Sequence, residues 1–115
     1  MKSVRSKYGS VKTVVSGRVF DSKREAEVAR DLLLMERAGK IENLGFQVKY
    51  ELIPPQPKFK ERAVTYIADM VYTDKATGEE VVVDVKSSAT RKLAVYILKR
   101  KLMAFIHGIS VLEVV

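Results

Sequence analysis

The stretch of sequence that decides the fold is AVTYIADMVYTDKATGEEVVVDVK, residues 63–86. Two runs rich in Val, Ile and Tyr flank the turn-forming segment Asp74–Gly78, which is typical of two antiparallel strands joined by a short turn. We therefore predict strands over Ala63–Tyr72 and Glu80–Lys86. Because successive side chains of a strand point to opposite faces, Asp84 and Lys86 should share one face near the end of the second strand.

A second carboxylate lies in the first of these strands, where Asp69 is predicted to share a face with Thr65, Ile67 and Val71. If this is also the face of Asp84, two carboxylates come close together across the pair. Such carboxylates repel each other and are costly to bury, and a divalent cation removes that cost. Oxygen ligands favour Mg²⁺ or Mn²⁺.

Lys86 would then have a chemical role beside the two carboxylates. Its positive charge can lie near a scissile phosphate or help to activate a water molecule. The tripeptide Asp84–Lys86 is weak evidence by itself, because short motifs have many chance matches. An exposed Asp and Lys that pair across strands, with little energetic consequence, would give the same pattern.

The remaining sequence predicts one further strand before this pair and a helix on either side of the strands. In chain order we predict a hairpin at 11–20 around Ser16–Gly17, a helix at 22–38, a strand at 44–53, the two strands already described, a helix at 90–107 and a strand at 109–114. This order predicts a single α/β domain over residues 1–115, with one mixed sheet flanked by helices and an N-terminal hairpin. Residues 1–10 are predicted to form a mobile basic arm.

Glu25 lies three residues after Ser22, which is the spacing of a helix capping box. An acidic residue is also expected there because of the helix dipole. Its position within the apolar stripe of the first helix nevertheless predicts that Glu25 points inward, toward the sheet.

The second predicted helix carries an arc of basic and aromatic residues. Within about 100° of its helical wheel, at 3.6 residues per turn, lie Lys92, Tyr96, Lys99, Arg100, Met103 and His107. Lys and Arg beside an aromatic ring suit phosphate contacts with some stacking, and Arg91 near the helix start could also meet a phosphate. A solvated charged face is the plainer interpretation.

The overall charge favours a polyanionic partner. Lys and Arg number 21 against 14 Asp and Glu, which gives a formal net charge of +7. We therefore expect contact with nucleic acid. No apolar stretch approaches the roughly 20 residues needed to span a bilayer, so we expect no membrane association and a cytoplasmic location. The chain has no cysteine, which excludes disulfides and thiolate metal sites.

Four segments together resemble the PD-(D/E)XK nuclease superfamily, whose core has the order αβββαβ. They are Phe20–Ala26, Tyr66–Asp69, Val83–Lys86 and Leu98–Leu102. The resemblance is greatest to the small phage-type branch similar to archaeal Holliday junction resolvases, and it extends from about residue 20 to the C-terminus. Ala68 replaces the motif's Pro, and Asp84 takes the place of the commoner Glu.

The resemblance implies a role for each matching residue. Asp69 and Asp84 would be metal ligands, with the backbone carbonyl of Val85 as a third ligand, and Lys86 would be the motif lysine. Glu25 would complete the acidic cluster, often through a metal-bound water.

The implied function is Mg²⁺- or Mn²⁺-dependent hydrolysis of DNA phosphodiester bonds, with branched DNA in recombination as one substrate form. The resemblance also implies a phage-encoded protein that acts in the bacterial cytoplasm. Cleavage of branched DNA would need two active sites and hence a homodimer. The alternatives are a non-catalytic DNA-binding protein of the same fold, and an interaction protein whose basic face meets another protein.

Overall fold

The computed structural model of the chain describes residues 3–5 and 11–115. The predicted hairpin is present as β2 (Val11–Val15) and β3 (Arg18–Phe20). Ser16 and Gly17 connect them, both with positive φ (50° and 79°), which suits the right-handed twist of a two-residue hairpin. Within the predicted basic arm, β1 (Ser3–Arg5) pairs antiparallel with β2. The rest of that arm lies outside the described residues.

The first helix, α1 (Lys23–Arg37), forms as the sequence predicts. The Ser22 hydroxyl accepts a hydrogen bond from the Glu25 backbone N–H at 3.1 Å, which satisfies one of the free donors at the helix start. Gly39 follows the helix with a φ of 77°, a left-handed conformation that a glycine adopts without strain.

The main sheet has four strands in the order β4-β5-β6-β7. These strands are β4 (Ile41–Ile53), β5 (Val64–Asp74), β6 (Glu80–Val85) and β7 (Leu112–Val114). The first three are antiparallel, whereas β7 runs parallel to β6. The prediction of one mixed sheet with helices and an N-terminal hairpin is therefore confirmed. The chain order from α1 to β7 is also αβββαβ.

The second helix is shorter than the sequence predicts. Residues Thr90–Lys92 form a separate 3-10 turn, Leu93 is extended with a ψ of 132°, and α2 covers only Ala94–Leu102. The Ser87 hydroxyl accepts a hydrogen bond from Thr90 N, which stabilises the separate turn before the helix. A π-helical turn, Met103–His107, continues α2 and ends at Gly108.

Two buried clusters separate the helices onto opposite faces of the sheet. The first core contains Phe20, Ala26, Ala29, Leu32, Ile41, Met70 and Val83. The second core contains Leu52, Tyr66, Ala68, Val71, Val82, Tyr96 and Met103. Residues of α1 thus pack in the first core, and those of α2 and its π-helical turn pack in the second. Among the described residues, no helix is long and apolar enough to cross a membrane.

In β4 and in β5, the regular alternation of side chains between the two cores is interrupted once, and the two interruptions lie opposite each other. In β4, Phe46 packs against the first core and Val48 against the second, although strict alternation would place them together. Gln47 between them has a φ of 52°. In β5 the same kind of interruption separates Ala68 from Met70, so the alternation predicted from Thr65 to Val71 fails there. The flanking pairs Phe46↔Met70 and Val48↔Ala68 put Gln47 opposite Asp69.

Candidate active site

The candidate site lies where β5 and β6 part. Their paired residues run from Thr73↔Glu80 to Met70↔Val83. One residue further along β5, Asp69 Oδ2 accepts a hydrogen bond of 2.8 Å from Val85 N. The carboxylate stands there in place of a backbone acceptor. A side chain thus satisfies a strand N–H at the point where the ladder opens.

Asp84 is fully buried at this opening. Its Oδ2 accepts a hydrogen bond of 2.6 Å from the Tyr66 hydroxyl. Its Oδ1 lies 3.3 Å from Lys86 Nζ. That contact is an ion pair without hydrogen-bond geometry, so Oδ1 is a buried oxygen with no hydrogen-bond donor in the described part of the chain. A buried carboxylate oxygen of this kind is costly unless a cation or proton meets it.

The electrostatics of Asp84 reflect this cost. Burial, together with the neighbouring Asp69 carboxyl group, raises the pKa of Asp84 from its ordinary 3.8 to about 7. The hydrogen bond from Tyr66 and the positive charge of Lys86 oppose that rise in pKa. Perturbed carboxyl groups of this kind are concentrated at functional sites.

Glu25 also faces this region, as its position in the apolar stripe predicts. Its backbone N–H takes part in the helix cap, whereas its Oε1 accepts a hydrogen bond from Gln47 Nε2 at 3.4 Å. Burial, and after it the charge of Asp69, raises the pKa of Glu25 to about 7. Glu25, Asp69, Asp84 and Lys86 are therefore brought together.

Two residues of this site, Gln47 and Arg24, are not among the site residues predicted from the sequence. Gln47 contacts Glu25 from a left-handed backbone conformation, which costs about 1–2 kcal/mol for a non-glycine residue. A polar residue within the otherwise apolar stretch Leu44–Val48 was the available signal, but nothing in the sequence indicates its φ. Arg24, next to Glu25 on α1, lines the cleft above the site.

A cleft of about 510 Å³, here called the acidic cleft, opens above these residues. Its walls include Glu25, Asp69, Val85 and Lys86, and also Ser22 at the start of α1. Asp84 does not line it. The positive end of a helix dipole and its free N–H groups suit an anion such as phosphate.

The oxygen donors in the acidic cleft and next to it fit a hard divalent cation in their chemistry. Asp69, Asp84 and the Val85 carbonyl offer only oxygen ligands, which Mg²⁺ and Mn²⁺ prefer. Burial, and after it the neighbouring carboxyl groups, raises the pKa values of Glu25 and Asp84, and a bound cation would oppose both effects. Within the described residues, no group of three or more His, Cys, Asp or Glu side chains is arranged to hold a metal ion. The fit therefore depends on two carboxylates supplemented by a backbone carbonyl.

The residues predicted to bind DNA differ in their exposure to solvent in the structure. Arg91 and Lys92 are exposed on the 3-10 turn, and Lys99 is half-buried on α2. Tyr96 is buried in the second core, and Arg100 forms an ion pair of 2.7 Å with Glu113.

The predicted basic and aromatic arc of the second helix is therefore only partly exposed: Lys92 and His107 are open to solvent, whereas Tyr96 and Met103 are buried. Tyr96 and Met103 turn it toward the sheet, and the outward side of α2 carries apolar residues such as Val95 and Leu98 instead. Lys99 and Arg100 lie on either side of the line of buried residues formed by Tyr96 and Met103.

The chain matches a defined sequence family. Residues 5–108 match the family described as "Protein of unknown function (DUF1064)", and the chain is a member of that family. Searches of the curated proteins and of the solved structures gave no match.

Proposed function

We propose that the protein is a metal-dependent DNA endonuclease that hydrolyses phosphodiester bonds, as the resemblance to PD-(D/E)XK nucleases implies. The observation that carries the proposal is the pair of carboxyl groups, Asp69 and Asp84, held next to Lys86 where two strands part. Burial of Asp84 is costly, because its Oδ1 has the Lys86 ammonium at 3.3 Å but no hydrogen-bond donor. A cation-binding site explains both the burial and the missing donor.

Each residue of the cluster has a distinct part in this proposal. Asp69, Asp84 and the Val85 carbonyl would hold the Mg²⁺ or Mn²⁺, which when bound polarises the phosphate and makes water more acidic. Lys86 stabilises negative charge that develops on the phosphate, and Asp84 fixes its ammonium group at 3.3 Å. Glu25, with its raised pKa, is suited to accept or donate a proton near neutral pH.

Cationic side chains around the acidic cleft support DNA as the substrate. Arg24 lines the cleft, and the exposed Arg91 and Lys92 follow Lys86 along the chain. With a formal net charge of +7, the protein attracts a polyanion, and its affinity should fall steeply with added salt. These contacts recognise phosphate rather than base sequence.

The competing proposal is a DNA-binding protein of the same fold that does not cut. Carboxylates that face a polyanion weaken binding, so a pure binder has no use for Asp69 and Glu25 in the wall of the cleft. Cleavage is therefore the better-supported activity. Action on branched DNA, with two copies of the chain meeting one junction, is the finer form of the proposal.

The deciding experiment incubates linear duplex, single-stranded and four-way-junction DNA with the protein in Mg²⁺, Mn²⁺ or EDTA. We expect cleavage that EDTA abolishes and that Asp84→Asn reduces by about 10³-fold or more. Asp74→Asn is the matched control, because Asp74 lies in the same hairpin and accepts from Ala76 N at the turn. Cleavage that survives in EDTA would refute the metal assignment. Binding without cleavage in any metal would favour the non-catalytic alternative.

A further inference from the structure

A second cleft lies on the other side of Lys86 from the acidic cleft. This lateral cleft, of about 350 Å³, is lined by Tyr66, Ile67, Leu93, Val95, Tyr96 and Lys99, together with Lys86 and Thr65. Its character is apolar and cationic, whereas the acidic cleft contains carboxylates. Since Lys86 lines both clefts, a ligand group that contacts Lys86 in one is adjacent to the other.

The apolar residues of the lateral cleft are unusually open to solvent. Ile67 is 48% exposed, Leu93 57% and Val95 67%. Exposed apolar side chains grouped beside a polar site indicate a binding surface rather than a random surface pattern. The backbone break at Leu93, which has an extended ψ of 132°, places this residue outside α2 and at the cleft.

The inner wall of the lateral cleft is connected to the acidic pair. Tyr66 is buried and donates its hydroxyl hydrogen bond of 2.6 Å to Asp84. The Lys86 ammonium lies 5.3 Å from the centre of the Tyr96 ring, within the range of a cation–π contact. Lys86 is thus held between Asp84 on one side and an aromatic ring on the other.

From this arrangement we infer that the lateral cleft binds an unpaired nucleobase of the nucleotide next to the cleaved phosphate. The inference rests on the proposed nuclease function, which places a phosphate at Lys86. The exposed apolar side chains of Ile67, Leu93 and Val95 accept the face of any base with little sequence preference, and Lys99 adds charge for the neighbouring phosphate. A base stacked and paired inside a duplex enters such a cleft only after it is unpaired and unstacked, which costs about a few kcal/mol. The substrate class is therefore DNA with an unpaired nucleotide, either single-stranded or at a branch point.

The test measures equilibrium binding, by fluorescence anisotropy in EDTA, so that no cleavage occurs. The probes are a short single strand, the same strand with abasic sites throughout, and the corresponding duplex. The variant is Val95→Ser, and the control is Leu98→Ser, because Leu98 is a similarly exposed apolar residue of α2 that does not line the cleft. Both substitutions are on the solvent side of one helix, so their effects on folding should match.

We expect Val95→Ser to weaken binding of the single strand by about 5-fold or more, the effect of losing part of one base contact. Binding of the abasic strand and of the duplex should change little, and Leu98→Ser should leave all three affinities unchanged. Leu93→Ser, at a second lining residue, should repeat the selective loss. Equal losses for Val95→Ser and Leu98→Ser, or an equal loss with the abasic strand, would overturn the inference.

Two further results separate this inference from the proposed function. If the selective loss is found but no metal supports cleavage, the base-binding cleft stands and the nuclease proposal fails. If the protein cuts DNA and the variants show no base-dependent loss, the nuclease proposal stands and the base cleft fails. A change from dimer to monomer in sedimentation of Val95→Ser would also overturn the inference, because the cleft would then be covered by a second copy.

Discussion

At its turn end the β5–β6 hairpin is a regular antiparallel ladder, whereas at its other end the two strands part around acidic side chains. The turn end has continuous pairing from Thr73↔Glu80 to Met70↔Val83, and Gly78 N closes the turn on Asp74 O at 2.7 Å. The open end, one residue beyond Met70, buries Asp84 and uses the Asp69 carboxylate to satisfy Val85 N. One hairpin therefore contains both a stable apolar region and an electrostatically unfavourable one.

The difference shows how a small domain can hold a costly cluster. Met70 and Val83 in the first core, and Val82 in the second, gain free energy from burial of apolar surface. That gain keeps the strands in register up to the residue at which they separate. The open end then holds groups that destabilise the fold, a combination that is common at functional sites.

The largest effect should come from Lys86 at the open end. Lys86→Ala should lower the rate of DNA cleavage by about 10²–10⁴-fold, the usual contribution of a charge-stabilising or proton-transferring group. Lys75→Ala, in the turn of the same hairpin, should leave the rate unchanged. Single-turnover cleavage of the preferred substrate measures both. Similar losses in both variants would indicate a general effect of charge on DNA affinity instead of a role at the site.

Stability should depend mainly on the turn end. Met70→Ala should lower the free energy of unfolding by about 2–5 kcal/mol, because Met70 is fully buried and its truncation leaves a cavity. Asp84→Asn, at an equally buried residue of the neighbouring strand, should not lower the free energy of unfolding, because the substitution removes a negative charge that its surroundings compensate only in part. Urea unfolding in EDTA at pH 8 measures both. A similar cost for the two variants would mean that the open end contributes to stability as much as the turn end.

The sequence was sufficient to predict the elements with regular periodicity. In β6 the alternation holds throughout, with Val82 in the second core and Val83 in the first. The expected orientation of Asp84 and Lys86 follows from that regularity. The inward direction of Glu25 could be predicted because α1 is an uninterrupted helix with a defined start at Ser22.

The features that the sequence did not predict depend on tertiary contacts. Strict alternation fails in β5 between Ala68 and Met70, where the strand crosses from one core to the other opposite Gln47. The predicted helix from residue 90 is broken at Leu93, although no proline or glycine marks the break. Helical periodicity also gave the arc that contains Tyr96 without showing which side of the helix faces the sheet.

Stability should also depend on pH because of the open end. The folded-state pKa values of Glu25 and Asp84, both about 7, exceed their ordinary values of 4.5 and 3.8. The folded protein therefore retains protons that the unfolded chain loses, and the stabilisation present in acid is lost as pH rises through about 7. Each group contributes at most about 1.4 kcal/mol per pH unit in this window.

Urea unfolding in EDTA between pH 4 and pH 8 should show this decrease, and Asp84→Asn should make it shallower. Addition of Mg²⁺ should restore stability at the alkaline end, because a bound cation compensates the ionised carboxylates. Asp74→Asn, at the turn end, should leave the pH dependence as it is in the unsubstituted protein. A stability that rises between pH 4 and pH 7 and is unaffected by Asp84→Asn would contradict the raised pKa values.

The smallest effect is expected at Gln47, where activity should fall although stability does not. Gln47→Gly relieves a left-handed backbone cost of roughly 1–2 kcal/mol and adds about 0.5–1 kcal/mol of glycine entropy. The free energy of unfolding should therefore stay the same or rise slightly, by about 0–1.5 kcal/mol. The cleavage rate should fall by about 10-fold, since Glu25 loses its hydrogen bond from the amide.

Asn43 is the matched control for this last prediction, because it has a φ of 56° in the same strand, at the irregular pairing near the turn end. Asn43→Gly should change stability to a similar small extent and leave cleavage unaffected. Gln47→Asn keeps an amide in a residue that tolerates the left-handed conformation, so it should recover part of the activity. If Gln47→Gly and Asn43→Gly behave alike in both assays, Gln47 only shapes the strand and does not position Glu25.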